Sequence, residues 1–178
     1  MSLRYLFCTI VLVLILISCV DNSEKISTPS VDLLTAIDKE NVAIVKQHID
    51  AGTNINNYPI PKGIPLEGAQ PLHLAVVKGY AEIVQLLLEN GAKIDIKAKN
   101  KDQATPLSWA VFFQQKEMVS LLIKSGANIN ALDVNGLTSI DGANYVKITV
   151  LKDLNKLKVI QDILAILYEN GGLSASDI

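Results

Sequence analysis

The sequence predicts an all-α fold, a solenoid of about four stacked helix–turn–helix units. The first observation is an internal repeat, since an apolar, helix-like run precedes each of AGTNIN (51–56), NGAKID (90–95), SGANIN (125–130) and NGGLSA (170–175). The second is a motif that recurs between these copies, as QPLHLA (70–75), TPLSWA (105–110) and TSIDGA (138–143). A single helix pair of this size cannot bury its apolar face alone, so the units are expected to stack around one continuous core.

Each unit carries local signals for where its helices begin and end. Thr105 is suited to N-cap a first helix, and Pro106 follows it in the first turn, where a missing N–H costs nothing. Gly91 is suited to end a second helix in the left-handed conformation. Leu87 and Leu88 belong to an apolar stripe with helical spacing, which we expect to face the neighbouring unit.

The repeats resemble a known family. The segment Gly68 to Asp95, GAQPLHLAVVKGYAEIVQLLLENGAKID, is similar to the ankyrin repeat over its full length. The third copy matches in TPL and MVSLLIKSGANIN, the fourth opens with DVNGLTS, and the first keeps AIVKQHIDAG without the opening motif. The resemblance implies an ankyrin solenoid with repeats at about 30–56, 68–95, 102–130 and 133–173, joined by β-turn loops called fingers.

The spacing of the units is uneven. Gly52, Gly91, Gly126 and Gly171 are 39, 35 and 45 residues apart, against about 33 in an ankyrin unit. The first excess lies in NYPIPKGIPLEGA, whose prolines and glycines predict an irregular loop that extends the first finger. The last excess lies after Lys147, around ITVLKDLNKLKV, and lengthens either the last two helices or the loop between them.

The N-terminus predicts export from the cytoplasm. The apolar run LFCTIVLVLILI, from Leu6 to Ile17, follows Arg4. The run is shorter than the roughly 20 apolar residues that span a bilayer, which is typical of a secretion signal. An uncleaved N-terminal anchor is the alternative.

The end of this run, LISC, resembles the lipobox of bacterial lipoproteins. The resemblance implies a signal peptide at 1–18 and acylation of Cys19. The polar stretch VDNSEKISTP (20–29) lacks periodicity and predicts a flexible tether, 19–29 with the cysteine, before the repeat domain at 30–178. Because Val20 and not Asp follows the cysteine, the family pattern favours the outer membrane, facing the periplasm.

Little in the sequence points to catalysis. Cys8 lies in the apolar run and Cys19 would be acylated, so the mature domain is expected to have no thiol. His48 and His73 belong to different units, and no phosphate loop or nucleophile elbow occurs. The net charge of −2 does not suggest nucleic acid or anionic lipid as a partner. We therefore expect no enzyme, no cofactor, no metal site and no small-molecule substrate.

A protein-binding groove is the predicted site. In ankyrin arrays, the two residues after L-H-x-A-x on each first helix line the concave groove beside the fingers. The resemblance assigns this role to Asp38 and Lys39, Val77 and Lys78, Phe112 and Phe113, and Tyr145 and Val146 in the four units. Trp109 falls on a position that packs inward and is predicted to belong to the core.

The adjacent phenylalanines leave two interpretations open. Neighbours on a helix point about 100° apart, so one buried stripe cannot hide both rings. Exposed aromatic residues mark interaction sites, and Phe112 and Phe113 would then be anchors for a partner. Alternatively, the long first finger, with Tyr58, Ile60 and Ile64, folds over them as a satellite core. If the finger stays open, its three residues extend the binding surface.

The resemblances together imply a lipid-anchored module that binds another protein in the bacterial cell envelope. Small ankyrin lipoproteins are similar to immunity proteins, which protect the envelope from an antagonistic toxin such as a lipase. One expected function is therefore an inhibitor that captures a toxin in its groove. The alternative is a structural or regulatory adaptor that tethers a resident envelope enzyme to the membrane.

Overall fold

Eight α-helices form the part of the chain that the structure, a computed structural model, describes, residues 29–178. The predicted signal peptide, Cys19 and most of the tether lie outside the described residues. The helices are α1 (Leu33–Asp38), α2 (Val42–Asp50), α3 (Pro71–Lys78), α4 (Ala81–Glu89), α5 (Pro106–Phe112), α6 (Lys116–Lys124), α7 (Ser139–Thr149) and α8 (Leu154–Glu169). They pair in order as four helix–turn–helix units, and residues 29–178 contain no strand. This confirms the predicted all-α ankyrin solenoid.

The units stack through their first helices. Helix α1 contacts α3, α3 contacts α5, and α5 contacts α7, while a second layer is formed by α2 against α4 and α6 against α8. One equivalent apolar residue in each of the four units is fully buried: Leu33, Leu72, Leu107 and Ile140. Because the buried apolar residues form one cluster between Leu33 and Leu167, residues 29–178 contain a complete core of their own.

The helix ends follow the sequence signals. The Thr105 side chain accepts the N–H of Ser108, and Pro106 opens α5 in the position that needs no N–H. Gly79 ends α3 in the left-handed conformation, with φ of 75°. These caps fix where α5 begins and where the chain turns from α3 into α4.

The long spacer of the last unit is helical. Helix α7 has 11 residues, whereas α5 has 7, and α8 has 16, whereas α6 has 9. At about 1.5 Å per residue, the last pair extends beyond its neighbours by roughly 6 Å on one helix and 10 Å on the other. Only the short turn from Val150 to Asp153 separates the two helices. Of the two interpretations of the spacer, lengthened helices are therefore the correct one.

The fingers rest on one another. The first finger closes on itself, because the Ile60 N–H donates to the Ala69 carbonyl and the Gly68 N–H donates to the Ile60 carbonyl, at 2.8 and 2.9 Å. It then joins the second finger through the Lys99 N–H, which donates to the Gly68 carbonyl at 2.7 Å. The second finger joins the third through the Asp102 carbonyl, which accepts a backbone N–H at 2.9 Å.

His73 joins the second unit to the third. Its Nδ1 accepts the N–H of Gln70 at 3.3 Å, and its Nε2 lies 3.1 Å from the carbonyl oxygen of Ala104. The ring also packs edge-on against Trp109, with centroids 5.1 Å apart. Burial, opposed by the bond to Ala104, lowers the pKa of His73 from 6.5 to about 4. The ring is therefore neutral near pH 7, with its Nε2–H donated to the carbonyl.

Ser108 and Asp141 occupy the position of His73 in the third and fourth units, and each makes hydrogen bonds there with different groups. The Ser108 hydroxyl lies 3.2 Å from that of Ser139. Asp141 accepts the N–H of Thr138 at 2.9 Å and the N–H of Ala175 at 3.0 Å. Although burial opposes ionisation, the hydrogen bonds from Thr138 and Ala175 lower the pKa of Asp141 below its ordinary value.

A second row of polar residues links the units where each second helix ends. Asn56 donates its side-chain amide to the Gly91 carbonyl at 2.9 Å, and Asn130 donates to the Gly171 carbonyl at 3.1 Å. Asp95 lies at the equivalent position in between, where its carboxylate accepts a backbone N–H but has no hydrogen to donate.

Candidate protein-binding groove

A groove of about 580 Å³ lies between α5 and α7, the first helices of the last two units, and the fingers beside them. We call this surface the groove. Helix α5 and its C-cap residue supply the aromatic side chains Trp109, Phe112 and Phe113, and α7 supplies Tyr145. The facing finger residues include Asn100, Asp102, Asp133, Asn135 and Leu137.

The aromatic wall is a packed row. Trp109 is buried, as predicted from its position in the repeat. Phe113 packs on Trp109 with ring centroids 5.9 Å apart, and Phe112 packs edge-on against Phe113 at 5.4 Å. Phe112 is 54% exposed and Phe113 39%. Packing on Trp109 and on each other therefore restricts the two rings, while a large part of each stays exposed to solvent. A partner that bound them would cost less side-chain conformational entropy than one that bound mobile rings.

The first finger does not cover the phenylalanines. Ile60 is buried within its own finger, Tyr58 is half-buried, and Ile64 is exposed. None of the three lines the groove. The satellite-core interpretation is therefore wrong. Ile60 is buried and therefore unavailable to a partner, which corrects its predicted binding role. The binding role of Tyr58 and Ile64 stays a prediction, at a place outside the groove.

Val146 was predicted to line the groove, and this prediction is wrong. Its side chain is only 4% exposed, whereas Tyr145 beside it is largely exposed. In the third unit the equivalent residue, Phe113, is the C-cap of α5. Helix α7 instead continues to Thr149, so Val146 lies inside the helix and on its buried side, in line with Ile140 and Ala143.

The predicted residues of the first two units lie outside the groove. Val77 is half-buried. The Lys78 ammonium lies 2.6 Å from the Asp38 carboxylate, and this contact lowers the pKa of Asp38 and raises that of Lys78. Lys39 also approaches Asp38, at 3.8 Å. The predicted groove residues of the first two units thus include an exposed ion-pair cluster, and the aromatic residues of the predicted set belong to the last two units.

The fingers contribute apolar residues that the repeat pattern did not assign. Leu132, Val134 and Leu137 of the third finger are exposed, and Leu137 lines the groove. The Asp133 carboxylate accepts the N–H groups of Asn135 and Leu137 at 2.7 and 2.9 Å, which fixes the turn that presents Leu137. The finger motif DVNGLTS contained Val134 and Leu137, but the direction in which each side chain points depends on this turn.

The groove is acidic as well as aromatic. Asp102, Asp133 and Asp141 are among its lining residues, and no lysine or arginine is. In the described part of the chain, no group of three or more His, Cys, Asp or Glu side chains could hold a metal ion. No helix within residues 29–178 has the length and apolar character needed to cross a membrane.

Comparison with known proteins identifies the family. A family model described as ankyrin repeats (3 copies) matches residues 33–133, which is more than half of the chain. Among curated proteins, no relative matches the sequence. Ankyrin repeats are protein-interaction modules and are typically non-enzymatic. The repeated motifs, the stacked helix pairs and the family match lead to one conclusion, that this chain belongs to the ankyrin-repeat family.

Proposed function

We propose that this chain is a lipid-anchored ankyrin-repeat module of the bacterial cell envelope that captures another protein in the groove. The observation that carries the proposal is the exposed, packed pair Phe112 and Phe113, with the exposed Tyr145 lining the same groove beside the fingers. Aromatic residues dominate the energetics of protein interfaces, and contiguous exposed apolar residues mark docking sites.

The physical properties of the groove favour a protein over a small metabolite. The aromatic residues lie on an open concave surface together with exposed finger residues such as Leu132 and Val134. A small ligand is usually enclosed on most sides, whereas a protein interface is a broad patch with an apolar centre and a polar rim. Asp102 and Asn135 supply polar groups beside the aromatic wall.

The anchor is proposed from the LISC motif. Acylation of Cys19 would place the domain at the membrane through a tether that ends near residue 29. A flexible segment of this length spans roughly 15–20 Å on average. Such a tether leaves the groove free to meet a partner close to the membrane.

In its narrower form, the proposal makes the chain an immunity protein that inhibits an envelope-directed toxin, such as a lipase. Support for this form comes from the resemblance of small ankyrin lipoproteins to immunity proteins. Capture of a resident envelope enzyme would instead make the chain an adaptor. The identity of the captured protein, together with its activity in the free and bound states, distinguishes the two functions.

The binding test uses the fragment 20–178, which contains the complete core, to capture a partner from envelope extracts. Affinity is then measured for Phe112→Ala and Phe113→Ala. Tyr168→Ala is a matched control, since Tyr168 is 56% exposed, close to the 54% of Phe112, and lies on α8 outside the groove. We expect at least one phenylalanine variant to lose about thirtyfold in affinity. Equal affinity of all three variants and the wild type would contradict the proposal.

The anchor is tested in the full chain by mass spectrometry of the protein purified from membranes. Cys19→Ala should abolish both the acyl modification and cleavage before residue 19, because acylation requires the thiol. Cys8→Ala is the control and should leave both unchanged. Acylation that persists in Cys19→Ala would refute the anchor without bearing on the groove.

A further inference from the structure

A second exposed apolar surface lies on the last helix pair, at the end where α7 turns into α8. We call residues 147–158 the tip. Ile148, Leu151 and Leu154 are between 57% and 77% exposed there. None of them lines the groove.

The tip is strongly basic. It contains Lys147, Lys152, Lys156 and Lys158 against one acidic residue, Asp153. Lys156 approaches Asp153 at 3.7 Å. Within residues 29–178, no carboxylate lies within 4 Å of the other three ammonium groups. The chain as a whole has a net charge of −2, so this excess of positive charge is local.

We infer that the tip docks on an anionic phospholipid surface. The apolar side chains would enter the boundary between headgroups and acyl chains, and the lysines would contact lipid phosphates. Apolar residues flanked by lysines are the composition by which peripheral segments bind anionic membranes, through apolar burial plus electrostatic attraction.

The composition of the tip favours lipid over protein. Protein interfaces are depleted in lysine, and their hot spots are rich in Trp, Tyr and Arg but poor in leucine. The tip contains leucine, isoleucine, valine and lysine, and none of Trp, Tyr, Phe or Arg. The groove has the opposite composition, with four aromatic residues and no lysine. The two exposed apolar surfaces therefore suit two different partners.

The geometry of the last pair agrees with this inference. The extra residues of α7 and α8 carry the tip roughly 6–10 Å beyond the turns of the other units. Interfacial segments bury their apolar faces about 5–10 Å into the headgroup region. The tip can therefore reach this depth without the rest of the array entering the membrane. The sequence expectation that anionic lipid is not a partner rested on net charge, and the inference revises it.

The inference does not depend on the proposed anchor or on capture in the groove, and it is tested with the fragment 20–178, which lacks Cys19. Sedimentation with phosphatidylcholine vesicles, with and without phosphatidylglycerol, measures the partition coefficient. We expect the fragment to bind the anionic vesicles and to be released by high salt. Leu151→Ser/Leu154→Ser and Lys152→Gln/Lys158→Gln should each reduce partition about tenfold or more, since each lysine near an anionic surface contributes roughly fivefold.

The control is Lys62→Gln/Lys93→Gln, which makes the same change in net charge at two exposed lysines outside the tip. It should partition as the wild type does. Because the substituted tip residues are exposed, all variants should keep the wild-type melting temperature, which separates lost binding from lost folding. Failure of the wild type to bind anionic vesicles would overturn the inference. So would tip variants that keep lipid binding but lose the captured partner, since the tip would then be a protein interface.

Discussion

Replacing Gly68 by alanine inserts a methyl group where the first finger rests on the second. A Cβ atom at this position would lie 2.4 Å from the carbonyl carbon of Lys99 and 2.5 Å from its oxygen. These are backbone atoms and cannot rotate away as a flexible side chain would. Relief requires the two fingers to separate, which breaks the 2.7 Å hydrogen bond from the Lys99 N–H to the Gly68 carbonyl.

Gly63, in the same finger, is the matched control. Both residues have left-handed backbone, with φ of 78° at Gly68 and 86° at Gly63, but a Cβ at Gly63 meets no atom within 4 Å. Left-handed backbone costs an alanine about 1–2 kcal/mol, and the reduced freedom of the unfolded chain returns about 0.4–1 kcal/mol. Gly63→Ala should therefore destabilise by about 1 kcal/mol or less.

Gly68→Ala carries two further costs. Overpacking against a rigid neighbour costs about 1–3 kcal/mol, and the lost hydrogen bond about 1 kcal/mol. We expect a total destabilisation of about 3–4 kcal/mol, which is a large share of the stability of a small domain. The free energy of unfolding of the two variants, from urea denaturation of fragment 20–178, measures the difference. Equal losses in the two variants would refute the close packing of the fingers.

Three further predictions follow from the contacts that join the units. Asp95→Asn supplies the amide N–H donor that Asn56 and Asn130 have at the equivalent positions. It should therefore raise the free energy of unfolding, measured by urea denaturation, by about 1 kcal/mol. A decrease would contradict a shared linking role for the three residues. Burial of His73 lowers its pKa in the folded state to about 4, below the ordinary 6.5. The stability that neutral His73 contributes is therefore fully present above pH 6.5, and the free energy of unfolding should fall by up to about 3 kcal/mol as the pH is lowered from 6.5 to 4. His73→Ser should remove this pH dependence, and an unchanged profile would show another cause. Leu87→Ala, at a fully buried site, should cost about 2–5 kcal/mol, and a melting temperature within error of the wild type would contradict the stacking.

Local chemistry made much of the fold predictable from the sequence. The N-cap Thr105, the first-turn Pro106 and the left-handed Gly91 act within a few residues, and each holds its predicted place. The lengthening of α7 and α8 was one of two open interpretations. Lysines and leucines in ITVLKDLNKLKV suit either a helix or a charged loop, and the packing of α7 against α8, with Val150 and Leu157 against the core, selects the helix.

The groove was harder to predict because it depends on distant contacts. The place of Phe112 on a first helix followed from the repeat, but its exposure depends on where the first finger lies. That course is fixed by the contact of Gly68 with Lys99, about thirty residues further along the chain. Val146 was misplaced because alignment to the repeat assumes helices of equal length, which α7 does not have.

The carboxylate of Asp141 bears on how long such an array can grow. At the equivalent position, His73 donates a hydrogen to a carbonyl of the following unit. Asp141 has no hydrogen to donate and instead accepts the N–H of Ala175. A further unit that presented a backbone N–H at this place would be compatible with Asp141, whereas one that presented a carbonyl oxygen, as the third unit does to His73, would be repelled. The carboxylate therefore restricts which unit could stack on the fourth.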